Sequence, residues 1–143
     1  MDVALEEARA AAARGEVPVG AVVVDANGTV LAQAGNRTLE LHDPTAHAEV
    51  LVLRTAAAAL GSERLIECDL YVTLEPCAMC AGAISFARIR RLYFGASDTK
   101  GGAVEHGARF FGQPTCHHAP EIYGGIGESA AASLLKGFFA ALR

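Results

Sequence analysis

Hydrophobic and polar positions alternate at two spacings along this chain, and the changes of spacing mark out its elements. Residues 2–14 are rich in Ala, Leu and Glu, and Val3, Leu5, Ala8 and Ala12 recur at the interval of one helical face, with Gly15 as the stop. Val19-Gly20-Ala21-Val22-Val23-Val24 is apolar and largely β-branched, Asp25-Ala26-Asn27-Gly28 has turn chemistry, and Thr29-Val30-Leu31-Ala32 returns as a second strand. This pattern predicts a hairpin. Residues 35–44 are polar and irregular, the texture of a loop that carries function. Asp43 or Thr45 could cap a helix running to about residue 60, where Gly61 ends it.

Further along, residues 69–74 read as a buried strand, Pro76 as the first residue of a helix reaching about residue 87, and residues 91–95 as another strand. Residues 96–118 form a Gly-rich connection in which a short helix is expected near residues 104–110. A weak strand follows at residues 121–123. An amphipathic helix then starts near Glu128, with Leu134, Leu135, Phe138, Phe139 and Leu142 on its apolar side.

The strand–helix–strand–helix–strand run in the middle implies parallel pairing with right-handed crossovers, and the leading hairpin adds an antiparallel edge. The expected fold class is α/β, three layers, with a mixed central sheet of about five strands and helices on both faces. At 143 residues the chain is expected to be one domain over residues 1–143, burying roughly two thirds of the surface its unfolded form exposes. A hydrophobic fraction of 52% against 20% charged excludes a disordered chain. No apolar run nears the roughly 20 residues of a membrane helix, and Met1, Asp2, Glu6 and Glu7 do not look like a secretory signal. The expected location is the cytoplasm. Four cysteines then argue for metal or thiol chemistry over a disulfide framework.

The formal charge of −4 runs against a nucleic-acid partner, which usually selects a basic surface. The charge is uneven, however. Arg88, Arg90, Arg91, Lys100 and Arg109 face only Asp98 and Glu105 in one stretch, whereas Glu6, Glu7 and Glu16 load the N-terminal segment. That stretch is either a solvated basic face or one that contacts phosphates.

Chemistry concentrates at His47-Ala48-Glu49 and Pro76-Cys77-Ala78-Met79-Cys80. Cys77 and Cys80 are three apart at a helix start, so both sulfurs fall on one face, and the helix N-terminus stabilises thiolates. One imidazole and two thiolates leave a tetrahedral zinc one open position, the mark of a catalytic site. Glu49 follows His47 by two, which on a regular helix points it about 200° away. The metal is therefore expected off the helix ends, with Glu49 beside it as proton carrier and not as ligand. The spacing H-x-E…P-C-x-x-C is that of zinc deaminases acting on nucleobases.

Other readings of the same residues remain. C-x-x-C at a helix start also suits a thioredoxin-like redox pair, and a structural zinc would need a fourth ligand from Cys68, Cys116, His117 or His118. Cys116-His117-His118 reads as a loop with incidental donors or a second metal cluster, Cys68 as a small core residue, and His42 and His106 as loop histidines.

The text around the motif resembles the bacterial tRNA-specific adenosine deaminases. It does so at Val17-Pro18-Val19-Gly20-Ala21, Gly35-Asn36-Arg37, His42 to Glu49, Leu70 to Ile84, and Phe94-Gly95-Ala96 with Asp98 and Lys100. The resemblance implies a cytidine deaminase-like fold, one catalytic zinc per subunit and a homodimer whose partner helps form an RNA groove. It implies His47, Cys77 and Cys80 as ligands and Glu49 as the proton shuttle. It further implies Asn36 against a flipped base and Asp98 beside the target nucleotide's backbone. Without it, Asn36 reads as a loop-capping amide and Asp98 as a turn residue. The expected activity is hydrolytic deamination of adenosine to inosine at the wobble position of a tRNA anticodon, that of an arginine tRNA. The alternatives are a guanine or cytosine deaminase on the same scaffold, or a zinc-stabilised RNA-binding module without catalysis.

Overall fold

A computed structural model describes all 143 residues. Nine regular elements follow one another: α1 (Asp2–Ala13), β1 (Gly20–Val24), β2 (Val30–Gly35), α2 (Ala48–Leu60), β3 (Asp69–Leu74), α3 (Ala78–Ala87), β4 (Arg91–Ala96), β5 (Glu121–Tyr123) and α4 (Glu128–Ala141), with one 3₁₀ turn at Phe110–Gly112. The five strands lie in the order β2-β1-β3-β4-β5. β1 pairs antiparallel with both β2 and β3, while β3–β4 and β4–β5 are parallel. α1 packs with α4 on one face of this sheet and α2 with α3 on the other, giving the expected three layers. No helix is long and apolar enough to cross a membrane.

The hairpin forms where turn chemistry put it. Asp25 Oδ1 accepts from the backbone N–H groups of Asn27 and Thr29, and Gly28 takes the positive φ of +81° that the tight turn requires. The main core lies between the sheet and α2/α3, where Val23, Val52, Leu70, Val72, Ile84, Leu92 and Phe94 are buried with Cys68. On the other face Tyr71, Tyr93 and Tyr123 stand in register across β3, β4 and β5. Their rings stack at 4.4 and 5.0 Å between centroids.

Four expectations are corrected. The buried stripe of α1 is Ala4, Leu5, Ala8 and Ala11, rotated from the one expected. The rotation places alanines over Gly20 and Gly35, where any Cβ would overlap the backbone of α1. Helix α2 begins at Ala48, later than Asp43 or Thr45, which close a turn on each other instead. No helix forms over residues 104–110, because the amides of Val104, Glu105 and His106 all donate to the side chain of Glu75. On α4 only Ala131 is buried; Leu134, Leu135 and Phe138 are half-buried, and Leu142 is 69% exposed.

Candidate active site and metal centre

The carboxyl ends of β3 and β4 deliver the chain to one rim of the sheet, where open α/β sheets place their ligands. β3 ends at Leu74, and Glu75-Pro76 leads directly into α3, whose N-cap is Cys77. β2 leads through a loop to α2, whose N-cap is His47. Both N-cap residues have extended backbone, with φ near −70° and ψ of 150° or more, so their side chains swing off the helix ends towards each other. Neither caps its own helix. Asn36 compensates at α2: its Oδ1 accepts from the N–H of Ala48 at 2.8 Å.

His47, Cys77 and Cys80 thereby come together, with their ligand atoms all within 4.8 Å of one another. Nδ1 of His47 lies 3.6 Å from the sulfur of Cys77 and 3.5 Å from that of Cys80. A tetrahedral zinc with Zn–S of about 2.3 Å and Zn–N of about 2.05 Å would hold sulfur and nitrogen about 3.6 Å apart. The donor set and its spacing fit zinc.

The electrostatics agree. Cys77 is lowered to about 4, first by the hydrogen bond from the Cys80 thiol and then by the one from His47. Cys80 shifts upwards because that same hydrogen bond, burial and the nearby Glu49 all oppose a second negative charge. His47 is raised, chiefly by its hydrogen bond to Cys77. Protons are held among groups that a divalent cation would displace, as expected of metal ligands. Glu49, 4% exposed, is raised mainly by burial, which makes it a readier proton acceptor from acidic groups than an ordinary surface carboxylate.

The triad opens onto a cavity of about 270 Å³ lined by His47, Glu49 and Cys77 together with Asn36, Asp98 and Thr38. This is at the small end of ligand pockets. Asn36 and Asp98 both take the local structural roles expected of them, and both line the cavity. Asn36 caps α2 through its oxygen while lining the cavity, and Asp98 turns its own loop, accepting from the N–H groups of Lys100 and Gly101, on the facing wall.

Other marked residues lie elsewhere. The Cys116 thiol donates to the carbonyl of His118 and touches Ser85, His118 Nε2 bonds the carbonyl of Ile89, and His117 packs near Phe86. These contacts fasten the 116–118 segment to α3. The basic stretch is not one face. Arg90 forms a two-pronged pair with Asp69, Arg91 pairs with Glu121, and both stand at the start of β4, the end of the sheet away from the cavity. Two buried carboxylates at the site's edge were not singled out in sequence, Glu16 and Glu75. Both are buried beside the cavity rim, and their only signals were a charged residue set against Val17-Pro18 and one between Leu74 and Pro76.

Sheet, paired helix ends and a His/Cys/Cys set beside a buried glutamate define the class of zinc-dependent deaminases. Residues 1–96 match the cytidine and deoxycytidylate deaminase zinc-binding region. A tRNA-specific adenosine deaminase of Agrobacterium fabrum is 66% identical over 139 residues, covering 97% of this chain and 91% of that protein. A structure from work on A-to-I editing by tRNA:A34 deaminases at the wobble position of transfer RNA superposes with a TM-score of 0.92 at 66% identity, covering 94% of this chain and 97% of the other. A guanine deaminase from Nitrosomonas europaea matches with a TM-score of 0.79 at 27% identity, covering 97% and 82%. The chain belongs to the tRNA-specific adenosine deaminases.

Proposed function

We propose that this protein, as a single domain, hydrolyses adenosine to inosine at the wobble position of a tRNA anticodon, that of an arginine tRNA, in the cytoplasm. The observation that carries the choice of substrate is the extent of the likeness to tRNA-specific adenosine deaminases, which runs through nearly the whole chain and not only through the metal motif. One zinc per subunit would be held by His47, Cys77 and Cys80. Bound there, it would supply a Lewis acid that makes water acidic near neutral pH.

The chain's own residues do the rest. Glu49 takes a proton from the attacking water and passes it to N1 of adenine, making C6 electrophilic. The water oxygen adds at C6, Glu49 relays a second proton to the departing amine, and ammonia leaves. Water and adenosine enter; inosine and ammonia result. The amide nitrogen of Asn36, on the side chain whose oxygen is committed to Ala48, is available to hold the base edge. Asp98, on the opposite wall, stands beside the nucleotide's backbone. C6 cannot be reached in a stacked duplex, so the target is an unpaired base of the anticodon loop that can be splayed into the cavity.

The enzyme would work as a homodimer. An apolar depression between α2 and α3, lined by Val50, Leu53, Ala57, Ala83 and Phe86, supports this reading, with the Phe86 ring 70% exposed. Incubating the purified protein with an anticodon stem-loop should yield inosine and ammonia. Ammonia from guanine or cytosine but none from the stem-loop would reject the assignment.

A further inference from the structure

The proposed chemistry leaves two carboxylates buried near the cavity mouth without a part. Glu16 and Glu75 are each only 2% exposed, and each is enclosed by hydrogen bonds from a loop at the cavity mouth. Glu16, in the turn after α1, accepts from the hydroxyl of Thr38 at 3.3 Å and from the N–H groups of Leu39 at 3.1 Å and Glu40 at 2.9 Å. Glu75, at the end of β3, accepts from the N–H groups of Asp98 at 3.0 Å, Val104 at 3.2 Å, Glu105 at 3.0 Å and His106 at 3.1 Å. It also meets Nδ1 of His106 at 2.8 Å. At Gly102 a Cβ would come within 2.5 Å of the Glu75 carboxyl group, so only glycine lets this loop close on it.

The two loops stand on opposite sides of the mouth. The sheet order puts the loop after β2 on one flank and the loop after β4 on the other, with β1 and β3 between them. The first contributes Thr38 to the cavity wall, and the second contributes Asp98 and Gly101. Over these stretches the backbone has no strand partner, and its amides need acceptors. Water could satisfy them, but it would leave the loops free to move. A buried carboxylate gathers two to four amides at one point and fixes the loop to the sheet, with charge-assisted bonds stronger than neutral ones.

We infer that Glu16 and Glu75 are positioning residues for the substrate strand. They fix the two rim loops, and with them the width of the mouth against which the nucleotides flanking the flipped base must lie. This rests on the deaminase reading of the cavity. It adds that affinity for a polymeric substrate is set by two anchors behind the rim and not by the residues at the metal.

The zinc-loaded enzyme and its Glu16→Gln and Glu75→Gln variants test this with the anticodon stem-loop, alongside zinc content and amide hydrogen exchange. An amide in place of the carboxylate presents a donor to loop donors, so each loop should loosen at its own anchor. Exchange should quicken at residues 39 and 40 in Glu16→Gln, and at residues 98 and 104–106 in Glu75→Gln. KM should rise about tenfold in each variant with kcat within about threefold and zinc retained, the pattern of lost binding common to ground and transition states. Loosened loops with an unchanged KM would overturn the inference, as would a fall in kcat alone or loss of zinc. Should Glu75→Gln not fold, His106→Ala removes one bond from a half-buried side chain, and KM should rise about threefold. An unchanged KM there would also count against it. Failure of the unsubstituted enzyme to turn over the stem-loop would reject the substrate, whereas the exchange data would still report whether the anchors hold their loops.

Discussion

Glu49 and His47 are two residues apart, a spacing that on a regular helix turns side chains to opposite sides, yet both line one cavity. The resolution lies in the backbone of His47, which is extended and outside the helix, while Glu49 occupies its first turn and reaches back towards the N-terminus. Replacing Glu49 by Gln keeps the shape and removes the proposed proton acceptor. Zinc content and the circular dichroism spectrum should stay as they are, and kcat should fall by a factor on the order of 10²–10⁴; an active Glu49→Gln enzyme would show that another group moves the proton. The metal set was readable because each half is a local motif whose spacing has few other uses. Glu16 and Glu75 were not readable, since a lone glutamate looks like surface charge until the distant amides that surround it are placed. Asn36 was readable only as alternatives, and the fold makes them compatible, since capping Ala48 engages its oxygen and the proposed base contact would use its nitrogen.

At the scale of elements, strands and long helices followed from hydrophobic period and turn residues, and two of the misses share one cause. Both arose where a long-range contact outranked local preference. The segment over residues 104–110 has helix-compatible residues, but Glu75 takes the amides a helix would need. The stripe of α1 was misjudged because Gly20 and Gly35, far along the chain, set which alanines face inward. That close approach carries a prediction. Gly20→Ala would force a methyl into the backbone of α1 near Ala4 and Ala8 and should destabilise the protein by about 1–3 kcal/mol, as overpacking does. Denaturant titration against the parent would measure it, and an unchanged midpoint would mean that α1 can move away at little cost.

For the whole molecule, the Arg90–Asp69 and Arg91–Glu121 pairs stand at one end of the sheet and the cavity at the other. Two predictions belong at this scale. For both Glu16 and Glu75, burial alone would raise the pKa, but the loop hydrogen bonds outweigh it and hold each below the ordinary 4.5. Folding therefore favours their charged forms. The stability they add is complete above the unfolded value and is lost as pH falls through the lower folded values. The stability gap between the parent and Glu16→Gln should thus narrow on going from neutral pH to below about pH 4, as read by denaturant titration. A gap that widened in acid would reverse the assignment. Separately, Phe86→Glu would place a charge in the apolar depression between α2 and α3, and on the proposed homodimer reading sedimentation should shift from dimer to monomer. An unaltered dimer would move the interface elsewhere.

The tyrosine row across β3, β4 and β5 has a spectroscopic consequence. The chain contains no tryptophan and only three tyrosines, and all three are the stacked rings of Tyr71, Tyr93 and Tyr123. Phenolic emission and the near-ultraviolet dichroism of tyrosine therefore report a single structural event, the alignment of three neighbouring strands, from a place remote from the catalytic rim. The outermost ring rides on a three-residue edge strand whose residues are all exposed. Heating should accordingly show one ring leaving the stack before the remaining pair is lost with the core, an optical record of how the sheet comes apart from its edge.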